Sequence, residues 1–433
     1  MLVHDPSTAR RVNEVRPFGA RVVKVCMFLL IAYPIVSYTM EREFSASLGS
    51  LWDRVVLAVL AVIALVRYRA GHRPMGFRWF RFARSYVIFC LALLCVGLVS
   101  NPSVAFDGFS IDVEYIIYGL LIPLVIDAED VPLYLYGVVA VSTLLGFDGV
   151  FQYLTKVPIP SSWLDVGETV RTRVFSVLGS PGELAANMEV GLPLLVALFV
   201  TDKQRIRRWL YAVGALSCFA TLLFTYNRGA WLGIAVGILF VAVLYDRRLL
   251  IAVVVLGAVL FFLPPVHHRV LDLFSQVYLI KSAQGGRVMR WTDAFLNMTG
   301  QPFFGAGLGR YGGAIAAARH FSLYSDSYYA KILGESGLIG LVLFFAIQAA
   351  IVRDVMQLTV RRVLGSQRFV ALAGLVGIVA VIVHSFVENL YEYASTASLY
   401  YLVVGLLLVW GRTQSEREDN HLSGELLTVD ANT

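Results

Sequence analysis

Residues 208–245 read RWLYAVGALSCFATLLFTYNRGAWLGIAVGILFVAVLY. Two apolar runs, 208–225 and 229–245, are separated only by a short polar turn that contains Asn227 and Arg228. A helix needs about 20 apolar residues to cross the roughly 30 Å hydrocarbon core of a bilayer, and each run is close to that length. The stretch therefore predicts a helical hairpin that enters and leaves a membrane.

The rest of the chain has the same character. Of its 433 residues, 58% are hydrophobic and 15% are charged, whereas soluble globular proteins carry about 25% charged residues. The mean hydropathy is +0.70. These values exclude a soluble globular domain and predict an all-α integral membrane protein. Twelve apolar spans can be drawn, at 22–40, 50–66, 85–100, 111–126, 132–150, 184–201, 208–225, 229–245, 249–265, 337–353, 369–388 and 395–411.

The spans form one polytopic membrane domain, 25–411, between two polar ends. Residues 1–24 are polar and basic, and no small-residue cleavage site follows the first apolar run, so we expect an uncleaved first helix. The short acidic tail, 412–433, is predicted to be disordered.

The distribution of Lys and Arg orients the bundle. With both termini in the cytoplasm, 23 of the 36 basic residues fall on the cytoplasmic side and 13 outside, as the positive-inside rule expects. Two long loops, 151–183 and 266–336, then lie outside, and loops of this length usually carry function. The second shows helical patterning at His268–Ile280 and Arg287–Met298.

Arg228 is a candidate site residue because the tight turn holds it close to the membrane surface. An ionisable group at this depth indicates function by default. It can clamp the phosphate of a lipid headgroup, or it can simply snorkel to the surface from a helix end. The sequence leaves both interpretations open.

Arg287 and Arg290 are a second candidate pair. They are three residues apart, so on a helix they share one face. Two guanidinium groups on one face match a pyrophosphate, since Arg makes bidentate bonds to phosphate oxygens. The alternative is an ordinary solvated basic face.

Asp326 precedes the tenth span. A carboxylate at the mouth of a span serves as a base if a nucleophile reaches it, but Ser325 or Asp326 can equally cap the helix that follows. Further along, Glu335 is expected to face water. His384 and Glu388, one turn apart near the end of the eleventh span, either pair with each other or face a cavity.

Three segments carry a family resemblance. RVFSVLGSPGELA, starting at Arg173, is similar to an Arg…Gly-x-Pro-Asn…Leu-Ala stretch, with Gly182 where Asn is usual. Asn227-Arg228-Gly229 is similar to a Ser-Arg-Gly turn, and RVMRW followed by PFFGAGLG, from Arg287, is similar to an Arg…Trp…Pro-Leu-x-Gly-x-Gly-x-Gly stretch. In this order, over roughly residues 170–410, they resemble the O-antigen ligase and polymerase family of bacterial membrane glycosyltransferases.

One departure bears on the choice within that family. Its ligases carry His followed by Asn, Ser or Gln, then nine residues, Gly, two residues and Gly. Here Asp326-Ser327 and Gly337-Leu-Ile-Gly340 keep the spacing, with Asp in place of His. The resemblance therefore favours a polymerase over a ligase.

The resemblance implies a GT-C-like fold and a metal-independent glycosyltransferase without a cofactor. Its donor would be a glycan on undecaprenyl diphosphate, at the outer face of the bacterial cytoplasmic membrane, polymerised into O-antigen or an exopolysaccharide. Arg228, Arg287 and Asp326 would be catalytic. The residues that would bind substrate are Arg290, Arg173, His320, Tyr328 and Arg310.

The predicted partners are the lipid-linked donor, a glycan acceptor, the bilayer and other membrane proteins of polysaccharide assembly. No feature points to nucleic acid. One alternative is an O-antigen ligase that transfers the glycan to another acceptor. Others are a lipid-glycan flippase, although the chain shows no related halves, and a cell-wall glycan polymerase of the shape-and-division type.

Overall fold

A computed structural model describes residues 19–44, 51–71, 76–160, 172–245, 247–262, 275–283, 286–363 and 365–430, with the single residues 49, 267 and 271. Every regular element in this part of the chain is helical, in agreement with an all-α membrane protein. The helices α1 to α16 are, in chain order, Ala20–Ile31, Tyr33–Glu43, Trp52–Arg69, Trp79–Ser100, Pro102–Val125, Val131–Thr155, Pro181–Thr201, Arg205–Phe224, Arg228–Leu244, Arg248–Phe261, Gln276–Ala283, Arg287–Gly300, Ala314–Ala318, Tyr328–Asp354, Gln367–His384 and Ala394–Asp430.

The prediction of twelve spans is not confirmed. Among the described residues, 7 helices are long and apolar enough to cross a membrane: α4, α5, α6, α7, α14, α15 and the first part of α16. The pair α1 and α2, bent by 80°, is an eighth if the two helices count as one broken span instead of a re-entrant loop. Helices occupy the other predicted positions too, but α3 and α8 carry several arginines, and α9 and α10 have only 17 and 14 residues.

The two predicted polar ends are described only in part. Residues 1–18 lie outside the described part of the chain, so the predicted segment 1–24 stays a prediction. Helix α16 continues to Asp430, and the disorder predicted for 412–433 stays a prediction. That tail contains several Glu, Arg and Leu residues, which are good helix formers.

The long loop 266–336 contains short helices, as the pattern predicted. The helix predicted at Arg287–Met298 is α12, which follows Gly286 and ends at Gly300. The one predicted at His268–Ile280 falls largely outside the described residues, and α11 covers its last part. The loop therefore has structure of its own.

Helix α16 lies at the centre of the bundle, because 89% of an 18-residue apolar stretch within Ala394–Thr413 is buried. It packs on α5 and also contacts α15 and α7, while α14 lies along α4 and α8 lies along α6 and α7. The short connection between α15 and α16, 385–393, contains the buried residues Asn389, Leu390 and Tyr391. Residues on that connection are therefore held by the core of the fold.

Helices α9 and α15 approach each other along three glycines. A Cβ on Gly233 would lie 2.7 Å from the Ala380 carbonyl oxygen, and one on Gly237 would lie 2.6 Å from that of Val376. At the start of α9, a Cβ on Gly229 would lie 2.8 Å from the His384 ring. Small residues four apart allow this close packing of membrane helices, which fixes the start of α9 against the end of α15.

The two ends of the bundle are held by different contacts. At one end, the Val174 amide donates to the Phe224 carbonyl at 3.2 Å, and the Tyr328 amide donates to the Glu388 carbonyl at 3.3 Å. We call this end, formed by residues 172–180, 225–228, 286–327 and 385–393, the site end. At the opposite end, Arg67 pairs with Asp127 at 3.1 Å and Lys24 pairs with Asp130 at 2.7 Å.

Candidate functional site

Helix α12 carries the two predicted arginines on its inner face. Arg287 and Arg290 lie one turn apart, and Ala294, one turn further, is fully buried. On the other face, Phe295 and Leu296 are exposed, at 61% and 62%. This amphipathic pattern typically places a helix along a membrane surface with its polar side facing the protein. The two guanidinium groups therefore share one face, as the spacing predicted.

Arg290 forms an ion pair with Asp326. The Arg290 Nη1 and Asp326 Oδ2 atoms are 2.5 Å apart, and the two side chains retain 26% and 30% exposure. The Tyr311 hydroxyl donates to the Arg290 carbonyl at 3.1 Å, which ties α12 to the loop that contains glycines between positions 305 and 313, here called the glycine-rich loop. The two predicted site residues thus contact each other across 36 residues of chain.

Asp326 does not cap α14. The cap is Ser327, whose hydroxyl accepts the Ala330 amide at 3.3 Å. Asp326 itself has a φ of 50°, in the left-handed region that Asn and Asp tolerate best among residues other than glycine. The capping interpretation of Asp326 is therefore wrong, and its carboxylate is left for Arg290.

Arg228 and Arg173 come together at the turn between α8 and α9. Asn227 caps α9 by accepting the Ala230 amide at 3.2 Å, so Arg228 is the first residue of that helix. The Arg173 Nε donates to the Thr225 carbonyl at 3.2 Å. Both arginines therefore lie at the site end beside the start of α9.

Glu388 joins these groups, although the sequence did not assign it to the site. It is half-buried on the connection between α15 and α16. Burial raises the pKa of its carboxyl group; His384, Arg287 and Arg173 oppose this, and Asp326 adds to it. The sequence indicated Glu388 in one way only: it lies one helical turn after His384, near the end of the eleventh predicted span.

His384 pairs with a different carboxylate from the one expected. Its Nδ1 lies 3.1 Å from the Glu189 Oε2, and both side chains are completely buried. Glu189 comes from α7, so the contact joins α7 and α15 inside the bundle. Of the two alternatives for His384 and Glu388, pairing with each other is therefore not the one observed, and Glu388 lies near the charged groups of the site.

Three predicted substrate-binding residues lie away from the arginine group. Arg310 Nη2 donates to the Ser100 hydroxyl at 2.5 Å, at the end of α4. His320 is exposed, with a φ of 57°. Tyr328 is 1% exposed, and its hydroxyl donates to Asp112 Oδ1 at 3.2 Å. Their predicted contacts with substrate stay predictions.

A buried ionic cluster lies below the site. Lys331 Nζ is 2.5 Å from Asp112 Oδ1, 3.0 Å from Glu335 Oε2 and 3.9 Å from Glu392 Oε1. All four side chains are at most 4% exposed. Glu335 therefore does not face water as expected, because the helix of the tenth span begins at Tyr328 and carries it into the bundle.

The glycine-rich loop packs against a break in α14. Gly337 has a φ of 64°, which interrupts the helix, and the amide of Leu338 donates to the Pro302 carbonyl at 2.8 Å. Gly307 donates in the same way to Glu335 at 2.9 Å. A Cβ on Gly305 would lie 2.5 Å from the Glu335 carbonyl carbon. The glycines thus serve close backbone packing that fixes the loop between α12 and α14.

The chemistry available at the site end is recognition of an anion beside carboxylates. Arg173, Arg228, Arg287 and Arg290 supply guanidinium groups, which bind phosphate oxygens in pairs. Asp326 and Glu388 supply carboxylates within the same region. Within the described residues no cluster of three or more His, Cys, Asp or Glu side chains has the arrangement of a metal site.

Comparison with known proteins gives one family. A family model described as O-antigen ligase matches residues 213–345, from α8 to the middle of α14. No curated protein matches the chain. The matched region contains Arg228, Arg287, Arg290 and Asp326, and the match supports glycan transfer of the O-antigen ligase and polymerase type in general. Residues 213–345 of this membrane protein are therefore similar to the O-antigen ligase family, which supports the predicted resemblance to the O-antigen ligase and polymerase family.

Proposed function

We propose that the protein is a membrane glycosyltransferase that polymerises glycan repeat units carried on undecaprenyl diphosphate at the outer face of the bacterial cytoplasmic membrane. The observation that carries the proposal is the group of arginines at the site end. Arg287 and Arg290 share a face of α12, and Arg228 and Arg173 lie at the start of α9. Several guanidinium groups at the same end of the bundle suit a diphosphate better than a neutral sugar.

The position of the arginines also suits a lipid-linked donor. Helix α12 exposes Phe295 and Leu296 away from the face that carries its arginines. A prenyl chain in the outer leaflet could therefore pass beside apolar side chains while its diphosphate meets the guanidinium groups. A soluble nucleotide sugar carries no lipid chain that could contact this apolar face.

The proposed reaction is a displacement at the anomeric carbon of the donor. The oxygen of an acceptor hydroxyl forms a bond to that carbon, and the bond from the carbon to the diphosphate oxygen breaks. The electron pair leaves on the diphosphate, whose growing charge the arginines stabilise, as preorganised cations do. The hydroxyl proton passes to a carboxylate of the site.

A ligase is the second candidate, because the matching family model is described as O-antigen ligase. A ligase would use the same donor and the same arginines and would differ only in its acceptor. Asp326 stands at the position where the resemblance places the ligase His, and this favours the polymerase. A flippase is disfavoured because the arginines cluster at one end of the bundle instead of near its middle, where transporters bind their substrates.

The test is an assay of the purified protein in lipid nanodiscs with a synthetic undecaprenyl diphosphate-linked repeat unit. A polymerase converts this single substrate into a ladder of longer lipid-linked glycans. A ligase leaves it unchanged until a second acceptor is added, and then gives a single transfer product. No transfer under either condition, with confirmed donor binding, would contradict a glycosyltransferase and favour transport.

A further inference from the structure

We infer that Glu388, and not Asp326, is the general base that accepts the proton of the acceptor hydroxyl. The inference rests on the proposed function, since it assigns a step of that reaction. Asp326 is then a positioning residue that holds Arg290 toward the diphosphate. Four observations on the two carboxylates carry this division of roles.

The first observation is that Asp326 is already engaged. Its Oδ2 lies 2.5 Å from Arg290 Nη1, and a charge-assisted hydrogen bond of this kind is among the stronger ones in proteins. Protonation of Asp326 would weaken this bond, because a neutral carboxyl group attracts a guanidinium less than a carboxylate does. Arg290 would then lose its orientation at the moment when the leaving group most needs it.

The second observation is that Glu388 is held in place although its carboxylate makes few hydrogen bonds. Among the described residues it accepts one hydrogen bond, from the Tyr393 hydroxyl at 3.4 Å. The backbone of Glu388 is fixed, because its carbonyl accepts the Tyr328 amide at 3.3 Å. The side chain is half-buried. A general base needs this combination of a fixed position and an oxygen open to the substrate.

The third observation is the space that Gly182 leaves. A Cβ built on Gly182 would lie 2.9 Å from both Cδ and Oε2 of Glu388. This is shorter than any ordinary contact between such atoms, so a side chain at position 182 would displace the carboxylate. The first turn of α7 therefore forms a wall against which Glu388 rests.

The fourth observation concerns the charges around Glu388 from each neighbouring segment. His384 comes from its own element, Arg287 from α12, Arg173 from the segment before α7, and Asp326 from the start of α14. Burial is the largest influence and raises the pKa of the Glu388 carboxyl. A carboxylate with a raised pKa is a better proton acceptor near neutral pH than an ordinary one.

In the proposed step, the O–H bond of the acceptor breaks as its oxygen attacks the anomeric carbon. The proton passes to a carboxylate oxygen of Glu388, and the electron pair of the bond between the anomeric carbon and oxygen passes to the departing diphosphate. Glu388 then returns its proton to water, which its partial exposure allows. The arginines hold the diphosphate throughout.

The experiment compares Glu388→Gln with Asp326→Asn in nanodiscs, using undecaprenyl diphosphate-linked repeat units. We measure donor affinity and the single-turnover rate separately. For Glu388→Gln we expect the rate to fall about 10²- to 10⁴-fold, as general-base removal does, with donor affinity little changed. For Asp326→Asn we expect mainly weaker donor binding. A Glu388→Gln rate within a factor of about three of wild type would overturn the inference.

Two further variants guard against simple misfolding. Gly182→Ala leaves Glu388 in the chain but should displace its carboxylate, so it should slow turnover without weakening donor binding. Added formate should restore part of the rate of Glu388→Ala and leave Asp326→Ala unchanged, and the reverse pattern would overturn the inference. If the wild-type protein itself transfers no glycan, the proposed function fails and the inference fails with it, whereas an active wild type with an active Glu388→Gln contradicts the inference alone.

Discussion

The two carboxylates of the site end differ in their immediate neighbours. Asp326 lies in a left-handed backbone conformation with its side chain against Arg290. Glu388 lies on a connection fixed by the core and rests against a glycine. The same functional group therefore has two environments, and paired environments of this kind allow an enzyme to give two carboxylates different roles.

Arg228 gives the clearest test at the scale of one residue. If its guanidinium binds phosphate as a fork, lysine cannot replace it fully. A hydrogen bond to a charged group contributes about 1.5–3 kcal/mol, so we expect Arg228→Lys and Arg228→Ala to lower the transfer rate roughly 10- to 100-fold. The measurement is polymer yield per unit time from purified, folded protein.

The matched control for Arg228 is Arg319→Ala, since Arg319 is exposed. It removes the same charge from a position outside the arginine group and should leave the rate near that of wild type. Near-normal polymer from Arg228→Ala would leave Arg228 with only the snorkelling role of an arginine at a helix end.

At the scale of elements, α9 and α15 explain how Arg228 is positioned. Gly229, Gly233 and Gly237 allow the two helices to lie close together, and Arg228 is the residue directly before this glycine row. Asn227 closes the first turn of α9. The position of the guanidinium thus depends on backbone packing that begins several residues away.

Gly237→Val tests this dependence. Its Cβ would lie 2.6 Å from the Val376 carbonyl oxygen, so the two helices must separate, and overpacking of this kind costs about 1–3 kcal/mol. We expect a lower melting temperature in detergent and a lower transfer rate, because Arg228 moves with α9. The control is Gly257→Val in α10, where a Cβ meets nothing within 4 Å. Equal melting temperatures for the two variants would contradict the packing argument.

The sequence predicted parts of this arrangement that follow from local spacing. Arg287 and Arg290 were assigned to one helical face, and α12 begins at Arg287, where the pattern predicted it. Asp326 was identified because its spacing from Gly337 and Gly340 matches the spacing of the His in ligases of the family. These features depend only on residues that are close together along the chain.

What the sequence missed depends on contacts between distant segments. Glu388 enters the site because the connection after α15 returns to the start of α14, which spacing does not reveal. From the sequence, Lys331 and Glu335 were placed outside the tenth span, because each charged residue lowers the mean hydropathy of the segment that contains it. In the structure they neutralise one another and are buried. Lys331 and Glu335 lie four residues apart in α14. Asp112 and Glu392, however, which share the buried lysine, come from other elements and cannot be found from the sequence of that segment.

At the scale of the whole molecule, the buried cluster links α5, α14 and the connection between α15 and α16. Lys331 from α14 contacts Asp112 from α5 and lies 3.9 Å from Glu392. These are the same elements that support Asp326 and Glu388. The cluster therefore connects, inside the bundle, the segments that carry Asp326 and Glu388.

Lys331→Met tests this role. It leaves the carboxylates of Asp112, Glu335 and Glu392 buried without their shared cation, and breaking a buried pair in this way costs about 3–5 kcal/mol. We expect a clearly lower melting temperature in detergent, measured by thermal unfolding. Lys203→Met, at an exposed position, should change little. A melting temperature for Lys331→Met equal to that of Lys203→Met would remove the cluster from the stability of the fold.

The last prediction concerns the orientation of the molecule in the membrane, on which access of an exported substrate depends. The rule for basic residues applies to short loops, and long loops cross regardless of charge. The loop 266–336 holds seven of the thirteen basic residues predicted outside, so its charge does not weigh against this orientation. Only six basic residues then remain outside against twenty-three inside. We therefore expect the site end to face away from the cytoplasm.

Single cysteines test this orientation in a variant whose native cysteines are replaced by alanine. The two positions are Phe321→Cys at the site end and Lys203→Cys at the opposite end, and both native side chains are exposed. A thiol reagent that cannot cross membranes should label position 321 in intact cells and position 203 only after the membrane is opened. The reverse pattern would place the arginines in the cytoplasm, where an exported lipid-linked glycan could not reach them, and would contradict the proposed reaction along with the topology.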